Sequence, residues 1–355
     1  MAHFLKKIPM YIFIAINLLM IMAMNFCAYT SYLPPQTYPN WSYYGLMFPI
    51  FLIANILFIF FWLTFKWKLA ALPVVGMLLC AGSIRTYCPV NMAEDIPKGS
   101  LKVLTYNVMG FGLDHPDNWE DNEILKYILD CDADIVCIQE AMRGNVDMAF
   151  ELMKEKYPYQ DMQFSALNYM AVVSKHPIIS SQKIEYTSDS NCSYAYEIEV
   201  GKDTVVVINN HFESYRLHEE DREAYKELIK HPKKEDTEEK YTSLMGKLAH
   251  SNSIRGPQAD SVASYIEKQK GRYIIACGDF NDPSLSYTHR RLTEYLNDAY
   301  TRSGNGPGIS YNRSGMLFRI DNILCSPNIT PYSATVDNYS EVSDHYPMFS
   351  FLKLE

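Results

Sequence analysis

Ile274-Ile-Ala-Cys-Gly-Asp-Phe-Asn281 decides how this chain is read. A short unbroken apolar run bounded by a turn signal is the pattern of a strand buried on both faces. Such a strand cannot end in a carboxylate and an amide unless they find polar work beyond it. The same form recurs along the chain. Leu101-Lys-Val-Leu-Thr-Tyr-Asn107 ends in an amide, and Asp134-Ile-Val-Cys-Ile-Gln-Glu140 ends in a carboxylate. Val205-Val-Val-Ile-Asn-Asn-His211 ends in a histidine. Arg319-Ile-Asp-Asn-Ile-Leu324 holds Asp321 inside a strand, and Ser343-Asp-His-Tyr-Pro347 begins one. Ligands bind beyond strand ends in sheet proteins. The pattern therefore predicts one pocket, rich in oxygen and containing histidine.

Between these strands the periodicity turns helical. Helices are expected over Asn122–Asp130, Val146–Lys156 and Glu238–Gln269. Further strands are expected over Tyr169–Ser174, Tyr194–Val200, Thr204–Asn210, Ile320–Cys325 and Tyr346–Leu352. Residues 100–355 suit one large α/β domain. Glu219–Lys240 is a run of mixed charge, which reads as solvated helix faces. Its place directly after a candidate catalytic strand also admits a lid over the pocket.

Hard oxygen ligands such as Glu140 and Asp344 suit Mg²⁺ or Mn²⁺ rather than zinc. Amides such as Asn107 and Asn281 donate to phosphoryl oxygens or orient a ligand. A carboxylate–histidine pair stabilises charge or moves protons, and an aspartate beside a water activates it. Together these residue types describe metal-assisted hydrolysis of a phosphate ester. Each also has a bland reading. Asp279-Phe-Asn281 is compatible with a turn bonding its own backbone, Glu140 with a helix N-terminal charge, and His211 with a satisfied core histidine. Their joint placement at equivalent strand ends favours the pocket.

Residues 101–355 resemble the endonuclease/exonuclease/phosphatase superfamily, which includes deoxyribonuclease I, exonuclease-III-type enzymes, neutral sphingomyelinases and inositol-polyphosphate 5-phosphatases. Seven motifs carry the resemblance, in the family's order. They are Thr105-Tyr-Asn107-Val, the strand ending in Glu140, Val173-Ser-Lys-His-Pro-Ile178, Asn209-Asn-His211-Phe-Glu-Ser214, Gly278-Asp-Phe-Asn281-Asp, Arg319-Ile-Asp321-Asn-Ile and Ser343-Asp-His345-Tyr-Pro. The resemblance implies a four-layer α/β sandwich of two packed mixed sheets flanked by helices. It implies a Mg²⁺ site (Mn²⁺ as an alternative) at Glu140, with Asn107 beside it and Asp344 at the metal. It implies that Asp279 orients or deprotonates the attacking water and that Asn281 holds the phosphate. His211 is expected at the phosphate or leaving group, and His345 is expected as the second histidine, with Asp321 as its carboxylate partner. Arg143, Lys175, Arg216, Arg313 and Arg319 are candidate cations near the site, Arg319 as a substrate-binding residue.

The sequence departs from the family at Tyr169-Met-Ala171, where many members are glycine-rich. Arg255-Gly-Pro-Gln258-Ala resembles the start of the helix before the Asp-x-Asn strand, which puts the extra length at about 215–250. The expected activity is phosphodiester or phosphomonoester hydrolysis, with nucleic acid, phospholipid or a small molecule as substrate. A catalytically silent ligand- or partner-binding module on the same fold is the alternative, and such a module has no need of the full residue set.

The first 90 residues are of another kind. From Ile8 to Phe65 there is no Asp, Glu, Lys or Arg. A span needs roughly 20 apolar residues, and the proline-bearing segment Ser31–Asn40 splits this stretch into spans of about 9–30 and 43–65. Leu69–Ile84 is a third, shorter apolar run, taken to about residue 86. Tyr and Trp flank the runs, as at a headgroup layer. A cleaved signal peptide is disfavoured, because the first run is too long and lacks a small-x-small site. Lys6 and Lys7 precede the first span, and Lys66 and Lys68 follow the second. The positive-inside rule puts both clusters in the cytoplasm; three spans, the preferred reading, put the following domain on the outer side, and two would leave it in the cytoplasm. Residues 94–355 hold all 41 acidic residues and all but five of the 32 basic ones, a net of −14. That balance argues against tight non-specific DNA binding and, with an outer location, against DNA repair. The eight cysteines form no CxxC pair and no zinc spacing, and the sequence identifies no disulfide.

Overall fold

Two parallel strand pairs sit at the centre of two sheets. The computed structural model describes residues 8–112, 119–141, 146–165, 168–188, 191–217, 220, 221, 223, 237–313, 316–338 and 342–355. One sheet contains β1 (Leu101–Asn107), β2 (Ile135–Ala141), β3 (Tyr159–Ser165), β4 (Asn168–Ser174), β13 (Ile329–Val336) and β14 (Met348–Leu354). Their order is β13-β14-β1-β2-β4-β3. The other contains β5 (Ile178–Ile184), β6 (Cys192–Val200), β7 (Asp203–His211), β8 (Tyr273–Asp279), β9 (Asn297–Asp298) and β12 (Asp321–Cys325), in the order β5-β6-β7-β8-β12-β9. A hairpin of β10 (Tyr311–Arg313) and β11 (Met316–Phe318) stands apart. β1 pairs β2 in parallel and β7 pairs β8 in parallel, while the other pairings are antiparallel.

The apolar runs alternate between two burials, because successive side chains point to opposite faces. Val103, Ile135, Cys137, Val205, Val207 and Ile275 fill the space between the sheets. On the far side of the first sheet, Leu104, Val136 and Ile138 pack on α5 (Glu123–Cys131) and α6 (Val146–Met153). On the far side of the second, Val206, Ile208, Ile274 and Ala276 pack on α7 (Thr237–Lys268) and α8 (Tyr287–Thr293). The result is the expected four layers, two mixed sheets flanked by helices. Each fully buried aliphatic side chain contributes about 1.5–3 kcal/mol, so the three apolar cores between the layers hold the fold. One polar tie crosses the inter-sheet core: Gln139 Nε2 donates to Asn209 Oδ1 at 2.7 Å, and Asn209 Nδ2 donates to the carbonyls of Ile138 and Ala171.

The helix expected over Glu238–Gln269 forms as α7, which runs 32 residues; the helix start that Arg255-Gly-Pro-Gln258-Ala resembles falls inside it, with Pro257 in the interior. The expected helix over the charged run lies largely outside the described residues, as does the question of a lid. Strands β3, β5 and β13 appear where the sequence had no strand assigned.

At the N-terminus α1 (Ile8–Tyr29) and α2 (Phe48–Phe65) lie side by side. Asn17 joins them, accepting from Trp62 Nε1 at 2.9 Å and donating to Asn55 at 3.3 Å. The segments Met10–Tyr32 and Pro39–Phe65 are long and apolar enough to cross a membrane. The third run is not one straight helix. The segment Trp67–Leu79, containing α3 (Ala71–Leu79), and α4 (Ala81–Tyr87) bend by 70° at Cys80. Gly76 lets α3 touch α1, since a Cβ there would come 2.5 Å from Ile21.

The segment between α1 and α2 packs on the C-terminal domain. Ser42 Oγ accepts from Asn252 at 2.8 Å, the Ser31 carbonyl accepts from Arg290 at 2.9 Å, and the Arg290 guanidinium lies 4.5 Å from the Tyr32 ring centre. Gly45 sits so close that a Cβ would come 2.3 Å from the Leu285 carbonyl oxygen.

Candidate active site

The C-terminal ends of both central parallel pairs meet at one place. Asn107 is in register with Gln139, which delivers Glu140 next in the chain. His211 is in register with Asp279, and Asp279 with Asp321 across the antiparallel pair. Two local distortions aim the side chains. Glu140 adopts φ 55° where the β2–β4 register shifts, so its carboxylate turns out of the alternation. Asn281 adopts φ 51° just past β8. Gly278 has φ 128°, and a Cβ there would come 1.9 Å from the Asn210 carbonyl oxygen. Only glycine lets β7 and β8 run this close beneath the site.

Asp279 is the hub. Its Oδ1 accepts from Asn281 N at 2.7 Å. Its Oδ2 accepts from Asn107 Nδ2 and Asn281 Nδ2, both at 3.1 Å. His211 Nε2 and His345 Nε2 each stand 3.7 Å from the same oxygen. His211 Nε2 is 3.4 Å from Glu140 Oε1, which accepts from Asn107 Nδ2 at 3.0 Å. His345 Nδ1 contacts Asp321 Oδ2 at 2.8 Å. Ser343 Oγ bonds the Asn107 carbonyl and receives the His345 backbone N–H, which anchors the last motif to β1. The Tyr311 ring meets the His345 ring edge-on at 5.2 Å.

The electrostatics follow from this crowding. Burial opposes ionisation of Glu140, but His211, the Asn107 hydrogen bond and His345 hold its carboxyl down at about 2. Burial pushes Asp279 up to about 6, with Asp321 adding to it and the two histidines opposing. Burial works against a charged His345, yet Asp321 and Asp279 outweigh it and raise the imidazole well above its ordinary value. His211 is raised too, burial being overcome by close contact with Glu140 and by Asp279.

Two groups can gather a cation. The ligand atoms of Glu140, His211 and Asp279 lie within 4.8 Å of one another, as do those of Asp279, Asp321 and His345. His211 Nε2 and Asp321 Oδ1 are buried without a hydrogen-bond partner. Buried polar atoms normally have one, so these point to a missing partner. Carboxylate oxygens dominate the set, which fits a hard divalent cation.

Each expected residue can now be placed. Asn107, Glu140, His211, Asp279, Asn281, Asp321 and His345 come together. Asp344 lines the same cleft but stands in neither group, its Oδ2 lying 3.7 Å from Arg313 Nε. Asn107 turns its nitrogen toward the carboxylates, because its oxygen accepts from Met109 N at 3.2 Å. In this orientation it clamps Glu140 to Asp279. Asn281 Nδ2 is likewise held, by the Phe212 carbonyl and Asp279. Arg319 is not at the cleft. It is buried, bound to Asp298 at 2.9 and 3.2 Å and to the Thr86 carbonyl, and it stacks on Tyr300. Lys175 lies at the opposite sheet end, paired with Asp132 at 2.8 Å. Arg143 lies outside the described residues. Arg216 lines the cleft, paired with Glu213 at 2.7 Å.

The sequence reading missed the rest of the cleft wall. A cavity of about 460 Å³ joins the carboxylates to Tyr311 and Phe318, to Leu244, Met245 and Leu248 of α7, and to Tyr43, Leu46, Met47 and Ile50. The pattern i, i+1, i+4 on α7 was a usable signal for the first of these helical contacts.

Residues 104–345 match the model of the endonuclease/exonuclease/phosphatase family. Residues 10–87 match the model of a domain of unknown function. No curated protein matches the chain in sequence. Among solved structures, an endonuclease/exonuclease/phosphatase from Beutenbergia cavernae superposes with a TM-score of 0.54 at 17% identity, covering 72% of each chain. The human Nocturnin catalytic domain with bound sulfate superposes at 0.52 and 15% identity, over 74% of this chain and 97% of that one. The D. rerio TDP2 complex with a single-stranded DNA product superposes at 0.51 and 14% identity, over 72% of this chain and all (100%) of that one. At these identities the likeness is one of fold.

Proposed function

The chain belongs to the endonuclease/exonuclease/phosphatase family, and from that premise we propose that it is a membrane-anchored, divalent-metal-dependent phosphoesterase. The observation that carries this is the meeting of Glu140, His211, Asp279, Asp321 and His345 at the ends of both parallel strand pairs. A silent binding module would not need a carboxylate hub held by five groups.

Glu140 would hold the cation, with Asp279 beside it and Asp344 as a further oxygen from the cleft wall. When bound, Mg²⁺ or Mn²⁺ supplies positive charge against the phosphoryl oxygens. The remaining work falls to side chains. Asn107 and Asn281 fix the Asp279 carboxylate with three N–H donors. Asp279 takes a proton from the attacking water, whose oxygen bonds to phosphorus as the ester P–O bond breaks. His345, kept cationic by Asp321, donates to the phosphoryl oxygens. His211 serves the phosphate or the departing alkoxide. Asn281 reaches the phosphate only by giving up its bond to the Phe212 carbonyl.

Two apolar helices support the anchor. The side of the membrane is supported by packing. The C-terminal domain rests on the segment between α1 and α2, at the helix ends opposite Lys66 and Lys68. If those lysines face the cytoplasm, the domain lies outside. The test of activity is hydrolysis of bis-p-nitrophenyl phosphate by the full chain with Mg²⁺. EDTA-sensitive turnover, lost in Asp279→Ala, is expected; metal-independent turnover, or none, would overturn the reading.

A further inference from the structure

We infer that the substrate is a lipid: a phosphate ester whose apolar chain lies in the cleft while its phosphate meets Asp279 and His345. This deepens the phosphoesterase reading and rests on it. The cleft has two chemistries. One end holds Glu140, Asp279, Asn281, Asp344 and His345. The other is apolar and built from segments about 200 residues apart. Leu244 and Leu248 of α7 are nearly fully buried, at 1% and 6% exposure. Opposite them, Met47 and Ile50 are 40% and 59% exposed. Ile50 belongs to the segment Pro39–Phe65, apolar enough to cross a membrane.

The apolar passage therefore leads from the carboxylates to the first turn of α2, inside a candidate membrane span. A water-soluble substrate gives no reason for an opening there. A chain already in the bilayer enters at Ile50 without passing through water, and each CH₂ it buries favours binding. A polynucleotide needs a track of cations. Among the described residues lining the cleft, Arg216 is the single Lys or Arg, and it is paired with Glu213.

The experiment uses the full chain in one fixed concentration of a maltoside detergent with Mg²⁺. The probes are p-nitrophenyl alkyl phosphodiesters, from methyl to dodecyl, beside a single-stranded DNA oligonucleotide. The expected result is a kcat/KM that climbs with chain length, up to about fourfold per CH₂, and DNA turned over more slowly than the dodecyl ester. Met47→Ser with Ile50→Ser should flatten that climb. Neither side chain is buried, so the double variant should fold. A flat series on the unaltered protein overturns the lipid assignment while leaving the phosphoesterase standing. An unchanged slope in the double variant overturns it as well, because micelle partition alone would then explain the climb. Faster turnover of DNA overturns it in favour of nucleic acid. Absence of turnover for every ester, methyl included, removes the phosphoesterase reading on which it rests.

Discussion

Asp279 accepts three hydrogen bonds and faces two imidazoles, so its removal should be felt in rate before stability. Asp279→Asn keeps the shape and removes the proton acceptor. kcat is expected to fall by about 10²–10⁴ with an unchanged circular-dichroism spectrum, and a tenfold loss or less would deny it the role of base. Gly278 makes the opposite prediction. Its φ of 128° and the 1.9 Å approach to Asn210 leave no room for a methyl group. Gly278→Ala should cost about 3 kcal/mol or more, read as a drop in melting temperature, while Gly201→Ala, which meets no atom within 4 Å and carries only the strain of its φ of 64°, should cost less. At this scale the site was readable in the sequence. An apolar strand that stops at Asn107, Glu140, His211 or Asp279 announces a polar environment beyond its end. The orientation of Asn107 was not readable, because it depends on Met109 N–H, a turn hydrogen bond that no residue type dictates.

Among the elements, the junction of β11 and β12 is held by a buried ion pair. Arg319 binds Asp298, which also contacts His289 Nε2 at 3.1 Å. Asp298 is buried, yet Arg319 and His289 overcome that burial and hold its carboxyl well below the usual carboxylate range. A group depressed in the folded state contributes stability above its unfolded value of about 3.9, and that contribution is lost as pH falls below it. Asp298→Asn should therefore be destabilised by about 3–5 kcal/mol at pH 7. The gap to the unaltered protein should narrow at pH 3.5, as thermal melts at the two pH values would record; a constant gap would count against the pair. The expected role for Arg319 at the substrate failed because a strand-end arginine looks the same in sequence whether it faces a cleft or a buried aspartate. Strand β5 was missed because Ile179–Lys183 are exposed and polar in pattern, as befits a sheet edge. The helix expected over Glu238–Gln269 was legible from its period, and it runs on through the start that Arg255 resembles, because packing of α7 overrides Pro257 as a local breaker.

Taken whole, the molecule joins its two parts by more than the linker after α4. Ser31, Tyr32, Ser42 and Gly45 press on α7, α8 and Leu285. A C-terminal alkaline phosphatase fusion should be active in a bacterial host if the domain faces outward as proposed, and silent if the bent third run returns it to the cytoplasm. The two long apolar helices were legible in the absence of charge from Ile8 to Phe65. The contact between the parts was not. Leu46, Met47 and Ile50 fit a plain membrane span, and nothing local tells that they wall a cleft with Leu244 and Leu248.

That docking carries a kinetic consequence. If α1 and α2 anchor the chain as proposed, an active site clamped to them cannot swing out to sample bulk solution. In the proposed arrangement it would meet substrate by lateral diffusion within one leaflet. Its velocity should then follow the mole fraction of substrate in the surface rather than its molar concentration. Diluting a cleavable lipid ester with inert diluent lipid, at constant total substrate, should slow the enzyme, whereas a site facing free solution would be indifferent.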